Sequence, residues 1–340
     1  MADPLAAGLA LVLLAGLFQG SFMLPSKWMK GWAWENYWLL FATTAYLVCP
    51  WLFAVVTVPR LAEVYAGVPP ETIARTLAFG LGWALGALAF GLAIDAIGMA
   101  LGYAVIVGIA ATAGTLVPLL VLGQGILGPA RAAVTAAALA LMLAGVAVCS
   151  LAGRWKEADT RQGRPGLYRR GLAVAIASGL LSACGNLGFA FGSPISERAE
   201  QLGAAEDLAT NAIWVLLALP LFLLNAGYSL LLLRRNGTLA RYRASGSPRR
   251  ALLAVSMGLM WMLGMALYGA GARSLGRLGP SFGWAILMCS MVLVSSALGL
   301  LTGEWRDAPA PAHRRLRAGL ALLVAAICLL GLANHLSAAG

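Results

Sequence analysis

Two amide side chains, Gln19 and Asn186, lie inside long apolar stretches of this sequence. A buried amide is costly unless a polar partner satisfies it. The hydroxyl groups of a small polar solute are one such partner, and we predict that both amides bind a solute in a central cavity. The alternative is hydrogen bonding between neighbouring helices, which amides inside membrane proteins often provide.

Aromatic side chains in the same stretches could bind the apolar face of a solute ring. Trp83, Trp261 and Trp284 lie well inside apolar stretches rather than at their ends. Tyr103 and Tyr268 add a ring that carries a hydroxyl group. Because ligand pockets are mostly apolar with a few placed polar groups, we predict that these rings line the solute pathway. Packing against apolar neighbours is the alternative for each of them.

Carboxylates are the usual proton carriers inside membranes, because their charge changes when they take up or release a proton. Asp95 and Glu35 lie at the ends of two apolar stretches. We predict that these two residues are the proton-coupling groups. For Glu35 the alternative is a surface ion pair with Lys27 or Lys30.

The residue clusters that catalysis and metal binding require are missing from the sequence. The two histidines, His313 and His335, form no HExxH zinc motif, and there is no GxxxxGK[ST] phosphate loop. The cysteines number five and form no CxxC pair, which indicates small buried hydrophobic residues rather than a disulfide framework. We therefore predict a protein that is no enzyme and that uses no metal or cofactor.

The composition excludes a water-soluble globular fold. Of 340 residues, 61% are hydrophobic and 11% are charged, against about 45–50% and roughly 25% in soluble domains. The net charge of +11 does not indicate nucleic-acid binding, because the basic residues lie in short gaps between apolar stretches. The predicted fold class is an all-α integral membrane protein, since backbone groups in lipid must be satisfied within their own segment.

Ten stretches are long enough to cross a bilayer, which takes about 20 apolar residues in a helix. We expect the polar segment 152–170 to be the longest cytoplasmic loop and to separate two five-helix halves, 1–151 and 171–340. The predicted helices are 5–25, 37–59, 75–94, 97–121, 131–151, 171–191, 208–233, 251–272, 279–302 and 317–337.

The positions of Lys and Arg predict how the helices are oriented. Cytoplasmic loops carry an excess of both residues. Three quarters of the 24 Lys and Arg fall in the loops on one side, which we therefore place in the cytoplasm. Because an even number of helices returns the chain to its starting side, both termini are predicted to face outward.

An internal repeat links the two halves. The segment 79–86 aligns without a gap with 257–264, so that Trp83 matches Trp261. A repeat of five helices forces the second unit to enter the membrane upside down. Inverted repeats are typical of secondary transporters, which hold their substrate near the midplane between the halves. The alternative is an ancient duplication that is kept for packing alone.

Several short motifs are spread along the sequence. They are Pro25-Ser26-Lys27, Trp34-Glu35, Pro50-Trp51, Phe79-Gly80, Trp83, Ile97-Gly98-Met99-Ala100-Leu101-Gly102, Gly114-Thr115-Leu116 and Gly303-Glu304-Trp305. Together they resemble the L-rhamnose–proton symporter family of the drug/metabolite transporter superfamily. The resemblance implies a ten-helix carrier of the bacterial inner membrane that takes up a sugar with protons.

The residues and the resemblance together predict a secondary transporter for a small polar solute. The predicted solute is a sugar such as L-rhamnose, carried in symport with protons across the inner membrane, with both termini in the periplasm. The expected partners are this solute, protons and membrane lipids, and the oligomeric state is left open. The alternative function is export or exchange of another small metabolite by the same fold, and the sequence does not exclude a channel.

Overall fold

Every regular element in the described part of the chain is helical. The structure, a computed structural model, describes residues 4–97, 99–122, 128–156 and 165–336. Within these ranges, ten helical segments are long and apolar enough to cross a membrane, as predicted. They are α1 (Pro4–Ser21), α2 (Trp34–Thr57), α3 (Pro70–Ile97), α4 (Met99–Leu122), α5 (Pro129–Lys156), α6 (Pro165–Phe191), α7 (Asn211–Arg235), α8 (Ser247–Ser274), α9 (Gly279–Leu301) and α10 (Ala310–His335).

Several helices extend beyond the apolar stretch that predicted them. α10 begins at Ala310 rather than at 317, and α3 begins at Pro70 rather than at 75. Hydropathy marks only the part of a helix that lies in hydrocarbon, whereas backbone hydrogen bonding continues into the polar flanks. α1 ends earlier than predicted, at Ser21, and a 3₁₀ turn at Leu24–Trp28 follows with Pro25 in its first turn.

α2 contains a wider turn in its middle. Residues Thr43–Val48 form a π-helical segment, and the amide N–H of Cys49 bonds to the carbonyl of Thr44. Pro50 follows directly; proline has no N–H and its ring collides with the carbonyl four residues earlier. A π turn is one way to absorb this mismatch within a continuous helix, and it places Tyr46 in the irregular segment.

The connection between α6 and α7 is helical, where the sequence predicted a loop. Ser193–Gln201 forms a helix with Pro194 in its first turn, and its Ile195 and Ala199 are buried. A second short helix, Glu206–Ala209, leads into α7. The apolar face of Ser193–Gln201 packs against α7, so this connection is part of the packed structure at one end of the helix bundle.

The packing of the helices repeats after five. α1 packs against α8 and α9, and α6 packs against α3 and α4. In the same way α3 packs against α7 while α8 packs against α2, and α5 packs against α10. Each of these contacts therefore has a counterpart in which both helices are replaced by the helix five places away, which supports the predicted duplication.

Two glycines make matching close approaches in the two halves. A Cβ atom at Gly86 of α3 would lie 2.7 Å from the backbone nitrogen of Ser182 in α6. A Cβ atom at Gly264 of α8 would lie 2.7 Å from Nε2 of Gln19 in α1. Gly264 follows Gly86 at the spacing by which Trp261 follows Trp83. The upside-down orientation of the second half stays a prediction.

Candidate functional site

Trp83 and Trp261, the matched tryptophans of the repeat, contact each other near the middle of α3 and α8. Their ring centroids are 5.7 Å apart and the ring planes are tilted by 34°. Tyr46, from the π turn of α2, packs edge-on against Trp261 at 4.8 Å. Trp261 is buried and Trp83 is half-buried. The fold therefore brings one aromatic ring from each half together at the centre of the bundle.

Gln19 lies beside this tryptophan pair. Its Nε2 donates a hydrogen bond of 2.7 Å to the backbone carbonyl of Trp261. The side chain is buried and lies against Gly264, whose lack of a Cβ leaves room for it. This bond joins α1 to α8, which is the interhelical role that the sequence left open as the alternative to solute binding.

Asn186 is the centre of a second polar cluster, which we call the Asn186 junction. Its Nδ2 donates to the carbonyls of Gly114 at 2.7 Å and of Pro280 at 2.9 Å. The hydroxyl group of Tyr268 donates to Oδ1 of Asn186 and lies 3.2 Å from the Pro280 carbonyl. Both side chains are fully buried. One amide thus connects α6 to α4, α8 and α9.

Trp284 extends this junction and Tyr103 lies outside it. The indole N–H of Trp284 donates to the carbonyl of Ala110 at 3.2 Å, and the ring lies 5.7 Å from that of Tyr268. Tyr103 packs edge-on against Phe90 at 6.2 Å. Of the seven residues predicted to bind solute, the structure therefore gathers six in two clusters along α8, and Tyr103 belongs to neither.

The predicted coupling acids lie in different surroundings. Glu35 is buried, and its Oε1 accepts hydrogen bonds from Thr238 at 2.7 Å and from Asn236 at 3.1 Å. Lys27, which the sequence offered as its ion-pair partner, pairs with Glu304 instead, because the fold brings the α9–α10 connection beside the turn after α1. The side chain of Asp95 lies outside what the structure describes.

A cavity of about 470 Å³ opens at the end of the bundle that carries the α6–α7 and α8–α9 connections. We call it the end cavity. The carbonyl of Pro280, one of its lining residues, accepts the bonds from Asn186 and Tyr268, so the Asn186 junction lies next to the cavity lining. The lining residues are Phe189, Ala190, Ser193, Ser196, Glu197, Glu206, Thr210, Ile213, Ala272, Arg273, Gly276, Arg277 and Pro280.

Ion pairs surround the mouth of the end cavity. Arg273 binds Glu200 at 2.6 Å and lies 3.8 Å from Glu206. These residues were not predicted from the sequence, because 192–207 was expected to be a loop between two membrane helices. The sequence did contain an indication of the helix Ser193–Gln201. Proline in the first turn, as in Ser193-Pro194, is common at helix starts, and the segment that follows carries apolar residues at helical spacing.

The chain is similar to one family over nearly its whole length. The sequence profile of the L-rhamnose-proton symport protein (RhaT) family matches residues 1–335. An L-rhamnose-proton symporter of Cronobacter sakazakii is 26% identical over 98% of this chain and 99% of its own. One of Mannheimia succiniciproducens is 25% identical over 92% and 93%.

A protein of known crystal structure shares the fold. It covers 95% of this chain and 96% of its own with a TM-score of 0.57 and 16% identity. At this identity the likeness concerns the fold alone. The match of the family profile to residues 1–335 agrees with the motifs and with the ten membrane helices. The chain belongs to the L-rhamnose-proton symport protein (RhaT) family.

Proposed function

We propose that this protein is a secondary transporter that takes up L-rhamnose together with protons. The observation that carries the proposal is the contact between Trp83 and Trp261, because it brings equivalent positions of the two halves together at the centre of the bundle. A carrier with a central site between two similar halves can expose that site to each side in turn. Family membership supplies the solute: the relatives named above are L-rhamnose-proton symporters.

The chemistry of the central cluster suits a deoxy sugar. L-Rhamnose has hydroxyl groups and also an apolar methyl group and ring face. The rings of Trp83, Trp261 and Tyr46 offer apolar surfaces, and Gln19 beside them offers an amide. Ligand sites commonly combine a mostly apolar lining with a few polar groups of this kind.

The two clusters also suit alternating access. The end cavity opens at one end of the bundle, and the Asn186 junction separates it from the tryptophan pair about two helical turns further along α8. For solute to pass, the bonds from Asn186 and Tyr268 to Pro280 must open while contacts at the opposite end close. Protons would drive this cycle through a carboxylate, for which Asp95 and Glu35 are our candidates. We place the protein in the bacterial inner membrane with both termini in the periplasm.

Uptake by purified protein in proteoliposomes tests this function. Radiolabelled L-rhamnose should accumulate when the outside is made acidic, and a protonophore should abolish the accumulation. The recovered sugar should be chemically unchanged, because the proposal includes no reaction. Equal equilibration with and without the proton gradient would show a passive route and contradict symport, and failure to move L-rhamnose at all would overturn the proposal.

A further inference from the structure

Thr210 and Trp214 hold buried polar atoms that have no partner in the described part of the protein. Thr210 is 2% exposed and lines the end cavity, and Trp214, one helical turn further along α7, is 1% exposed. Within the described residues, neither the hydroxyl oxygen of Thr210 nor the indole nitrogen of Trp214 has a hydrogen-bond partner. Buried polar groups are satisfied in the great majority of cases, so this pair needs an explanation.

Among the described threonines, the hydroxyl groups of Thr210 and of Thr115 in α4 are both buried without a partner, whereas two other buried threonines satisfy theirs within their own helix. Thr76 in α3 and Thr135 in α5 are equally buried, and each hydroxyl donates to the carbonyl four residues earlier at 2.8 Å. Such back-bonding is the usual way for threonine to satisfy itself in a helix. Thr210 precedes α7 as its N-cap; its hydroxyl makes no such bond in the described part of the protein, and the residue lines the end cavity.

The two unpaired atoms converge on one place beside α8. A Cβ atom at Gly269 would lie 2.5 Å from the Thr210 hydroxyl and 3.1 Å from the Trp214 indole nitrogen. The two atoms are therefore close enough together for one hydroxyl oxygen to reach both. Phe189 stacks on Trp214 with centroids 5.0 Å apart and also lines the cavity, so an aromatic ring borders the same floor.

We propose that the floor of the end cavity is a binding site for a neutral, polyhydroxylated solute, and that Thr210 and Trp214 recognise one of its hydroxyl groups. This inference rests on the proposed function and adds a second solute-binding site along the same transport pathway. A hydroxyl group can accept from the indole N–H and exchange a hydrogen bond with the threonine, so it satisfies both atoms. A carboxylate oxygen could also accept from both groups, so these two atoms by themselves exclude only an ammonium group, which has no acceptor for the indole N–H.

The charges around the cavity favour the same class of solute. Arg273 forms an ion pair with Glu200 and lies near Glu206, so its positive charge is already neutralised within the protein. Arg277 and Glu197, which also line the cavity, add one charge of each sign. Together these five groups are three acids and two bases, so they carry one net negative charge, which disfavours an anionic solute. Its volume of about 470 Å³ lies within the range of roughly 300–1,000 Å³ that is usual for ligand pockets.

Binding of L-rhamnose to the purified full-length protein, measured by isothermal titration, tests the site. Thr210→Val keeps the shape of the side chain and removes the hydroxyl group, and we expect it to weaken binding by roughly 3- to 10-fold, the value of one hydrogen bond. Thr76→Val is the matched control, because it removes a hydroxyl of equal burial that only bonds its own helix. Its affinity should stay within about twofold of the wild type.

A second pair of variants separates recognition from misfolding. Gly269→Ala would push the Thr210 hydroxyl aside, and we expect weaker binding in a protein that still inserts and runs as a single species. Gly227→Ala is its control, because nothing lies within 4 Å of a Cβ atom there. Thr210→Val should fold normally, since it removes a polar atom that has no partner in the described part of the protein.

The outcomes distinguish this site from the proposed function. If Thr210→Val and Trp214→Phe bind L-rhamnose as tightly as the wild type while proton-driven uptake persists, the site is wrong and the function stands. If the wild type binds neither L-rhamnose nor L-fucose, both the proposed binding site and the proposed transport function are wrong. If D-galacturonate or D-glucosamine binds more tightly than these neutral sugars, the inferred solute class is wrong. A loss of affinity in Thr210→Val but not in Thr76→Val supports the site.

Discussion

Gln19 and Asn186 both donate to backbone carbonyls of neighbouring helices. These bonds, to Trp261 and to Gly114 and Pro280, are short and buried. Hydrogen bonds between membrane helices contribute about 0.6 kcal/mol on average and rarely more than about 2 kcal/mol. That is strong enough to hold one arrangement of the helices and weak enough to exchange for bonds to a sugar hydroxyl. The two roles predicted for these amides are therefore compatible at different steps of one transport cycle.

At the residue scale, Trp83 is the clearest test of the central cluster. Trp83→Ala should lower L-rhamnose uptake about tenfold or more, since an aromatic contact of this kind contributes about 0.5–1.5 kcal/mol beyond the area that it buries. Membrane insertion should be normal. Uptake in proteoliposomes measures the effect, and Trp51→Ala is the control, because Trp51 is 42% exposed on the surface of α2. Unchanged uptake in Trp83→Ala would remove this residue from the pathway.

The coupling acids give a second prediction at this scale. Asp95→Asn or Glu35→Gln should abolish proton-driven accumulation and retain exchange of labelled for unlabelled sugar, because an amide neither takes up nor releases a proton at neutral pH. In Glu35→Gln, the new amide oxygen could still accept the bonds from Thr238 and Asn236, so the fold should be kept. Accumulation and counterflow are measured side by side.

The control for this pair is Glu63→Gln, which changes an acid whose side chain is 61% exposed and should alter neither measurement. If accumulation survives in both Asp95→Asn and Glu35→Gln, a different group carries the proton.

At the element scale, the close contacts of α3 with α6 and of α8 with α1 differ in what they contact. A Cβ atom at Gly86 would meet backbone atoms of Leu181 and Ser182, whereas one at Gly264 would first meet the end of the Gln19 side chain. A backbone cannot move aside without shifting a whole helix, but a long side chain can change its rotamer. The two halves therefore tolerate the same substitution to different degrees.

Gly86→Ala should lower the free energy of unfolding by about 1–3 kcal/mol, as overpacking does, and Gly264→Ala should lower it by less. Thermal denaturation of the purified protein, followed by intrinsic fluorescence, measures the order. Gly91→Ala is the control: nothing lies within 4 Å of a Cβ atom at Gly91, so alanine should be neutral or raise stability by up to about 1 kcal/mol. An equal loss in all three variants would contradict this prediction, because helix propensity alone favours alanine over glycine at each position.

At the scale of the whole molecule, the uneven distribution of Lys and Arg predicts the orientation in the membrane. Alkaline phosphatase fused after the last residue should be active, because we place the C-terminus in the periplasm. Green fluorescent protein inserted in the loop between α5 and α6 should fluoresce, because we place that loop in the cytoplasm. The opposite result for both reporters would mean that the predicted orientation is wrong and that the end cavity opens on the cytoplasmic side.

Orientation also decides what the end cavity does in transport. Its lining comes from the α6–α7 and α8–α9 connections, which the charge count places outside. In this orientation the cavity opens to the periplasm, and the Asn186 junction lies between it and the tryptophan pair. This is the arrangement expected of an outward-facing importer to which no solute is bound. In the inverted orientation the same cavity would release solute into the cytoplasm.

The sequence alone determined the fold class, the helix count and the matched tryptophans. Runs of about 20 apolar residues are unambiguous, because lipid tolerates few backbone structures. Trp83 and Trp261 stand out because tryptophan, with 11 residues against 41 glycines, matches by chance far less often than glycine does. Helix ends were less well predicted, as at Ala310, because hydropathy measures contact with lipid and helical hydrogen bonding does not stop where lipid does.

Which polar groups contact each other depends on how the helices pack in three dimensions. Whether Gln19 contacts a carbonyl or a solute, and whether Glu35 pairs with Lys27 or with Thr238 and Asn236, depends on residues more than 200 positions away in the chain. The end cavity likewise arises where two distant connections come together, around a threonine whose unpaired hydroxyl no local pattern reveals. Local periodicity records how much of a segment is apolar, and the partner of a buried polar atom is set by how the helices pack.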